Sequence, residues 1–144
     1  MITGFNHSGF VVRDVEAMVA FYRDVLGLSV VREVESNAPP DGDHTGIPGA
    51  QRYLVFVGAP SGDHLLELVH YREPPSPEGH LRRNQLGAAH VAFNVRDIRA
   101  LHAELSAKGV RFVTPPIMRD GPDGALHGIC YAQDPEGNWL EFLQ

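Results

Sequence analysis

Two stretches of this chain are near copies of each other. His7-Ser-Gly-Phe-Val-Val-Arg-Asp-Val15 lies over His90-Val-Ala-Phe-Asn-Val-Arg-Asp-Ile98, and His, Phe, Val, Arg, Asp and a β-branched residue coincide at a constant offset of 83 positions. The far ends of the halves agree as well, since His64-Leu-Leu-Glu-Leu68 lies over Asn138-Trp-Leu-Glu-Phe142 with Leu and Glu in register. Each half therefore begins with a histidine and ends with a glutamate. A repeat of about 70 to 80 residues is too long for an ordinary solenoid unit, so it points to duplication of a small α/β module.

In the first half, Gly4 to Val12 alternates as a strand, and Asp14 reads as the N-cap of a helix. Val15, Met18, Val19, Tyr22 and Leu26 recur at helical spacing, and Gly27 is placed to stop that helix. Leu28 to Val34, Tyr53 to Val57 and Leu65 to Tyr71 read as three further strands, giving β-α-β-β-β. The second half repeats the order with Ala88 to Val95, a helix from Ile98 to Lys108 stopped by Gly109, a short strand near Val110 to Val113, then Gly128 to Gln133 and Trp139 to Leu143. Segments 36–50 and 71–85, rich in Pro, Gly and polar residues, read as a loop and an inter-module linker. The predicted fold is α+β, two tandem βαβββ modules forming a cupped, mixed β-sheet. Its single domain, 1–144, divides into modules 1–71 and 87–144 joined by a linker over 72–86.

A chain of 144 residues can bury roughly two-thirds of its unfolded surface without disulfides or a structural metal. Any metal is then free to be functional. Twelve Lys and Arg against 18 Asp and Glu leave a formal charge of -6, and the basic residues are scattered apart from Arg82-Arg83. This argues against nucleic acid or a membrane surface as partner and leaves a small molecule as the expected one. No stretch approaches the roughly 20 apolar residues of a spanning helix, and the N-terminus lacks the pattern of a leader, so a cytoplasmic protein is expected. The one cysteine, Cys130, suits a reducing compartment and reads as a small buried hydrophobe.

Strand side chains alternate between faces, so parity decides which residues meet. His7, Glu67, His90 and Glu141 each stand on the face opposite a bulky apolar pair: Phe10 and Val12, Leu66 and Leu68, Val91 and Phe93, Leu140 and Phe142. If the sheet curves, the four face its hollow, where Gly9, Ala88 and Ala92 leave space for a ligand. A carboxylate among apolar residues, as in Leu-Leu-Glu-Leu, is costly to bury unless paired or coordinated. Imidazole and carboxylate together suit one divalent ion among Zn, Ni, Co, Mn and Fe, and four ligands leave two octahedral positions open. His44, His70, His80 and His102 read as structural, while His64 and His127, at strand edges, could line a pocket mouth.

Phe21-Tyr-Arg-Asp-Val-Leu-Gly-Leu28 after the first helix and Asp134-Pro-Glu-Gly-Asn-Trp-Leu-Glu141 at the end make the chain resemble the vicinal oxygen chelate superfamily over nearly its whole length. That superfamily includes glyoxalase I, methylmalonyl-CoA epimerase, extradiol dioxygenases, fosfomycin-modifying enzymes and bleomycin-binding proteins. The resemblance implies a metal held where His7, Glu67, His90 and Glu141 stand, and a homodimer. A carboxylate at Glu67 is similar to the four-ligand set of bacterial glyoxalase I, which favours lyase or isomerase chemistry through a metal-stabilised enediolate, with Glu67 or Glu141 as the base. No cluster of basic residues matches the glutathione-carboxylate contacts of glyoxalase I. Thr45-Gly-Ile-Pro-Gly-Ala50 looks more like the branch near cyclitol epimerases. Tyr131, three residues before Asp134, matches the spacing of an active-site tyrosine in ring-cleaving dioxygenases. Two alternatives follow: a ferrous extradiol-type dioxygenase using His7, His90, Glu141 and Tyr131, and a non-enzymatic antibiotic-binding protein using Trp139.

Overall fold

The computed structural model describes every residue except Ser61, Asp63 and Asp123. It consists of two compact units, Met1–Glu78 and Gly79–Gln144, and each carries one mixed β-sheet.

The first unit begins with β1 (His7–Val12), α1 (Val15–Ala20), a π-helical turn (Phe21–Val25), β2 (Ser29–Asn37), β3 (Gln51–Gly58) and β4 (Leu65–Glu73). The sheet order is β1-β4-β3-β2, with β1 parallel to β4 and the other pairs antiparallel. In the second unit β5 (His90–Asn94), α2 (Ile98–Ala107), β6 (Arg111–Phe112), β7 (Ile117–Asp120), β8 (Leu126–Gln133) and β9 (Trp139–Leu143) follow. Here β5 runs parallel to β9, β9 pairs β8, and β8 pairs both β6 and β7. The β-α-β-β-β order is realised in the first unit, and in the second its second strand is split into β6 and β7, which pair successive stretches of β8.

The strand predicted from Gly4 starts at His7, which pairs with Leu65, the first residue of β4. The strand predicted from Ala88 likewise starts at His90, opposite Trp139 at the head of β9. Strand β7 was not legible behind Thr114-Pro115-Pro116; it exists by pairing Ile117 with Ile129 and Asp120 with Leu126, which also lengthens β8.

Both helices start and stop as their residues dictate. Asp14 accepts a hydrogen bond from the Ala17 amide and Asp97 one from the Ala100 amide, each at 2.9 Å. At the far ends Gly27 and Gly109 take positive φ, 78° and 86°, which lets Leu28 and Val110 donate back to the carbonyls of Tyr22 and Leu105 at 2.9 Å each. The first helix widens into a π turn over its last five residues, so Phe21 and Tyr22 both remain buried.

One face of each sheet is sealed by its helix. In the first unit Phe10, Val12, Leu66, Leu68, Val55 and Val57 bury against Val15, Met18 and Tyr22. In the second, Cys130, Ala132, Leu140 and Phe142 are buried, as are Ile98 and Leu105 of α2. A methyl at Gly128 would lie 2.6 Å from Ile98 Cγ2, so the bare backbone there sets how closely α2 seats. Cys130 is 2% exposed, and burial pushes its thiol up to about 11, which agrees with a packing role rather than a nucleophilic one. Among the described residues no helix is long and apolar enough to cross a membrane.

The loop between β2 and β3 is pinned to the sheet by Arg52, which is 3% exposed and donates to Ser36 Oγ at 2.9 Å and to Asp43. Asp43 also accepts from the Thr45 hydroxyl at 2.6 Å and the Thr45 amide at 2.9 Å. The Thr45 hydroxyl first, then its amide and Arg52, hold the Asp43 carboxyl at about 2 against an ordinary 3.8. A depressed carboxyl stabilises the fold above its unfolded value, and that contribution disappears as the pH falls through about 2. Thr45→Val should therefore move the midpoint of acid unfolding, followed by circular dichroism at fixed ionic strength, to higher pH; an unchanged midpoint would show that the loop is held by other contacts.

Candidate functional site

The parallel pairings decide where the polar residues go. In β1 and β4 Gly9 stands opposite Glu67, and His7 Nε2 lies 3.2 Å from Glu67 Oε2. In β5 and β9 Ala92 stands opposite Glu141, and His90 Nε2 lies 3.1 Å from Glu141 Oε2. The same arrangement is built twice, from the same strand positions of each module. A small residue opposite each carboxylate leaves it open: a methyl at Gly9 would already touch Glu67 Oε2 at 3.4 Å. The carboxylates are largely buried, at 16% and 11%, and the imidazoles half-exposed, at 36% and 43%. Each pair is thus a wall with one open side.

The donor chemistry suits a metal. His7 Nδ1 sits 2.7 Å from Asn6 Oδ1; an amide oxygen only accepts, so Nδ1 carries the proton and the lone pair of a neutral ring is on Nε2, aimed at Glu67. Two lone pairs facing each other repel unless a proton or a cation lies between them. Two groups bonded to one ion at about 2.1 Å stand roughly 3.0 Å apart at a right angle and 3.4 Å apart at the tetrahedral angle. The observed 3.2 and 3.1 Å fall in that interval. Each unit supplies two such donors, and among the described residues no third His, Cys, Asp or Glu joins either pair.

Each imidazole is steadied by an aromatic ring. Phe56 meets His7 edge-on at 5.5 Å, and Tyr131 meets His90 edge-on at 5.5 Å. These two rings occupy matching positions, Phe56 opposite Glu67 and Tyr131 opposite Glu141. They differ in one atom of consequence. Burial, followed by the facing Glu141 carboxylate, raises the Tyr131 phenol above its ordinary value while Arg83 opposes. Phe56 has no proton to give Glu67. Each ring is also capped by a guanidinium, Arg32 at 4.1 Å over Phe56 and Arg83 at 4.6 Å over Tyr131.

Asn6, Phe56, Arg32 and Arg83 were not singled out from the sequence. Phe56 was findable in principle, since it stands to Glu67 as Tyr131 does to Glu141; Arg32 was not, because a bulge between Val30 and Arg32 resets the alternation just before it. The remaining histidines lie elsewhere. His64 Nε2 is 3.0 Å from Ser8 Oγ, His70 Nδ1 is 3.3 Å from the Val12 carbonyl oxygen, His44 is 3.7 Å from Asp43, His102 packs on Phe112, His80 lies over Gly137, and His127 pairs across strands with Arg119.

The comparison with known proteins agrees with this architecture. The profile of the Glyoxalase/Bleomycin resistance protein/Dioxygenase superfamily matches residues 4–142. An ethylmalonyl-CoA/methylmalonyl-CoA epimerase of Cereibacter sphaeroides is 33% identical over 146 residues, covering 100% of this chain and 99% of the relative. A lactoylglutathione lyase of Pseudomonas aeruginosa is 26% identical over 152 residues, covering 97% and 81%. In structure, a glyoxalase family protein from Bacillus cereus superposes with a TM-score of 0.85 at 20% identity, over 99% of this chain and 94% of that one. The chain belongs to the Glyoxalase/Bleomycin resistance protein/Dioxygenase superfamily.

Proposed function

We propose that this protein is a divalent-metal-dependent lyase or isomerase in which His7, Glu67, His90 and Glu141 hold one ion, Zn, Ni, Co, Mn or Fe, and a small substrate with adjacent oxygens loses and regains a C–H proton. The observation that carries this is the duplicated His–Glu pair, with Nε2 and Oε2 at 3.2 and 3.1 Å. When bound, the ion supplies Lewis acidity that stabilises negative charge developing on a substrate oxygen.

The chain's own residues divide the remaining work. Glu141, which faces Tyr131 across the strands, serves as the metal-anchoring carboxylate. Glu67, whose cross-strand partner Phe56 carries no hydroxyl, turns toward the substrate and takes its proton. Asn6 and Phe56 hold the His7 ring in one orientation. Tyr131, edge-on to His90, offers its phenol to the substrate. An epimerase must remove and return a proton at one carbon, and a relative 33% identical carries that name, which supports the proton-transfer reading over oxygen chemistry. A homodimer is the expected assembly: β1 and β5 are each the edge strand of their own sheet, and an edge is a ready surface for another strand.

The test is isotopic. Incubated in D2O with small hydroxy-ketones or with the hemithioacetal of methylglyoxal, the metal-loaded protein should place deuterium on a substrate carbon, seen by proton NMR. Dioxygen consumption with catechols and no deuterium uptake from any of these compounds would replace proton transfer with ring cleavage.

A further inference from the structure

The second unit carries a cavity that the proposed chemistry does not use. It holds about 210 Å³ and is lined by Arg83, Val113, Ile117, Ile129, Cys130 and Tyr131. At the roughly 30 Å³ that a water molecule occupies in the liquid, this is room for about seven non-hydrogen atoms. Its walls follow from the strand register. Ile129 and Tyr131 alternate on one face of β8, Ile117 stands opposite Ile129, and the Val113 amide donates to the Tyr131 carbonyl at 2.8 Å. Val113 and Ile117 keep 47% and 48% of their surface exposed, so the rim is open and largely apolar, with Thr114 between them.

At one end of this apolar wall stands a cation. Arg83 lies 4.6 Å over the Tyr131 ring and 5.7 Å over the Trp139 ring, while Trp139 Nε1 donates to the Leu81 carbonyl at 3.3 Å, tying the ring to the segment that carries Arg83. Among the described residues Arg83 forms no ion pair with a carboxylate, as is also true of Arg32 over Phe56. A guanidinium stacked on two rings presents its N–H edge for a planar, two-oxygen partner, and that geometry favours a carboxylate. Tyr131 is shared: its ring forms the cavity wall and lies edge-on to His90 at 5.5 Å.

We infer that this cavity is a substrate subsite which takes a short branched-alkyl or aryl arm bearing a carboxylate, with Arg83 as the residue that selects the acid. The inference rests on the metal-site reading only for which end of the molecule reacts. The subsite itself needs neither metal nor turnover.

The test uses protein prepared without added metal and labelled with 13C at the isoleucine methyls, of which the chain has five, titrated with sodium 4-methylpentanoate. Saturable shifts at the Ile117 and Ile129 methyls are expected, with acetate and neutral 4-methylpentan-1-ol binding about tenfold more weakly. Arg83→Gln should weaken the acid about tenfold, leave the alcohol unchanged and be partly rescued by Arg83→Lys. Absence of saturable shifts at Ile117 and Ile129 would overturn the subsite, and acid binding equal in wild type and Arg83→Gln would overturn the role of Arg83. Failure here leaves the deuterium result untouched, and failure of deuterium exchange leaves this titration untouched, so the two proposals fall separately.

Discussion

Glu67→Gln is expected to slow deuterium exchange by about 10²- to 10⁴-fold, the usual contribution of a positioned general base, while the metal bound per chain stays at the wild-type level. The amide oxygen of glutamine still offers a lone pair where Oε2 stood 3.2 Å from His7 Nε2, but it cannot take a proton. Gly9 leaves the space the side chain needs, with a methyl there only 3.4 Å from Oε2. Glu141→Gln should behave differently, because it removes the charge from the carboxylate that faces Tyr131 and anchors the ion, and both metal and activity should fall. Metal lost from Glu67→Gln, with exchange unaffected in the residue that remains loaded, would reverse the roles of the two carboxylates.

Asp134→Ala should cost about 3 kcal/mol of stability, or roughly 10 °C in Tm, measured by thermal denaturation. Asp134 is 1% exposed, and its carboxylate accepts from the Glu136 amide at 3.0 Å, the Asn138 amide at 2.8 Å and the Asn138 side chain at 2.8 Å. Removing it orphans those donors inside the turn that joins β8 to β9. That turn also sets the register in which Tyr131 faces Glu141, so the variant should bind metal more weakly as well. Asp134→Asn keeps an oxygen for the backbone donors but turns an amide toward Asn138, and an intermediate loss is expected. A loss under about 1 kcal/mol in Asp134→Ala would mean that the turn holds by its backbone alone.

Much of this was legible because duplication repeats the evidence. One His before an alternating strand is ambiguous, but His7 and His90 with the same Phe, Arg and Asp behind them leave little choice of architecture. Asp14 and Gly27 marked the first helix because capping is chemistry within a few residues. Parity placed Phe10, Val12, Leu66, Leu68, Leu140 and Phe142 on the packed face, and all six are buried, whereas Val91 and Phe93 of β5 are only half-buried; the pairing of each Glu with the His of its own module was not anticipated. What could not be read depended on partners distant in sequence. Strand β7 exists only because β8 runs beside it, and the placement of Arg32 over Phe56 depends on a bulge that leaves no mark in the residue pattern. Arg83 lay in a segment read as linker, and its stacking on Tyr131 and Trp139 is a tertiary fact.

The most direct measurement is metal content per chain, by elemental analysis of protein purified without added metal or chelator, for wild type and Glu141→Ala. About one equivalent in the wild type, lost in the variant, is the expected result, with zinc, nickel, cobalt or manganese agreeing with proton transfer and iron pointing to oxygen chemistry. No metal in the wild type even after reconstitution, or equal metal in Glu141→Ala, would contradict a centre built from His7, Glu67, His90 and Glu141.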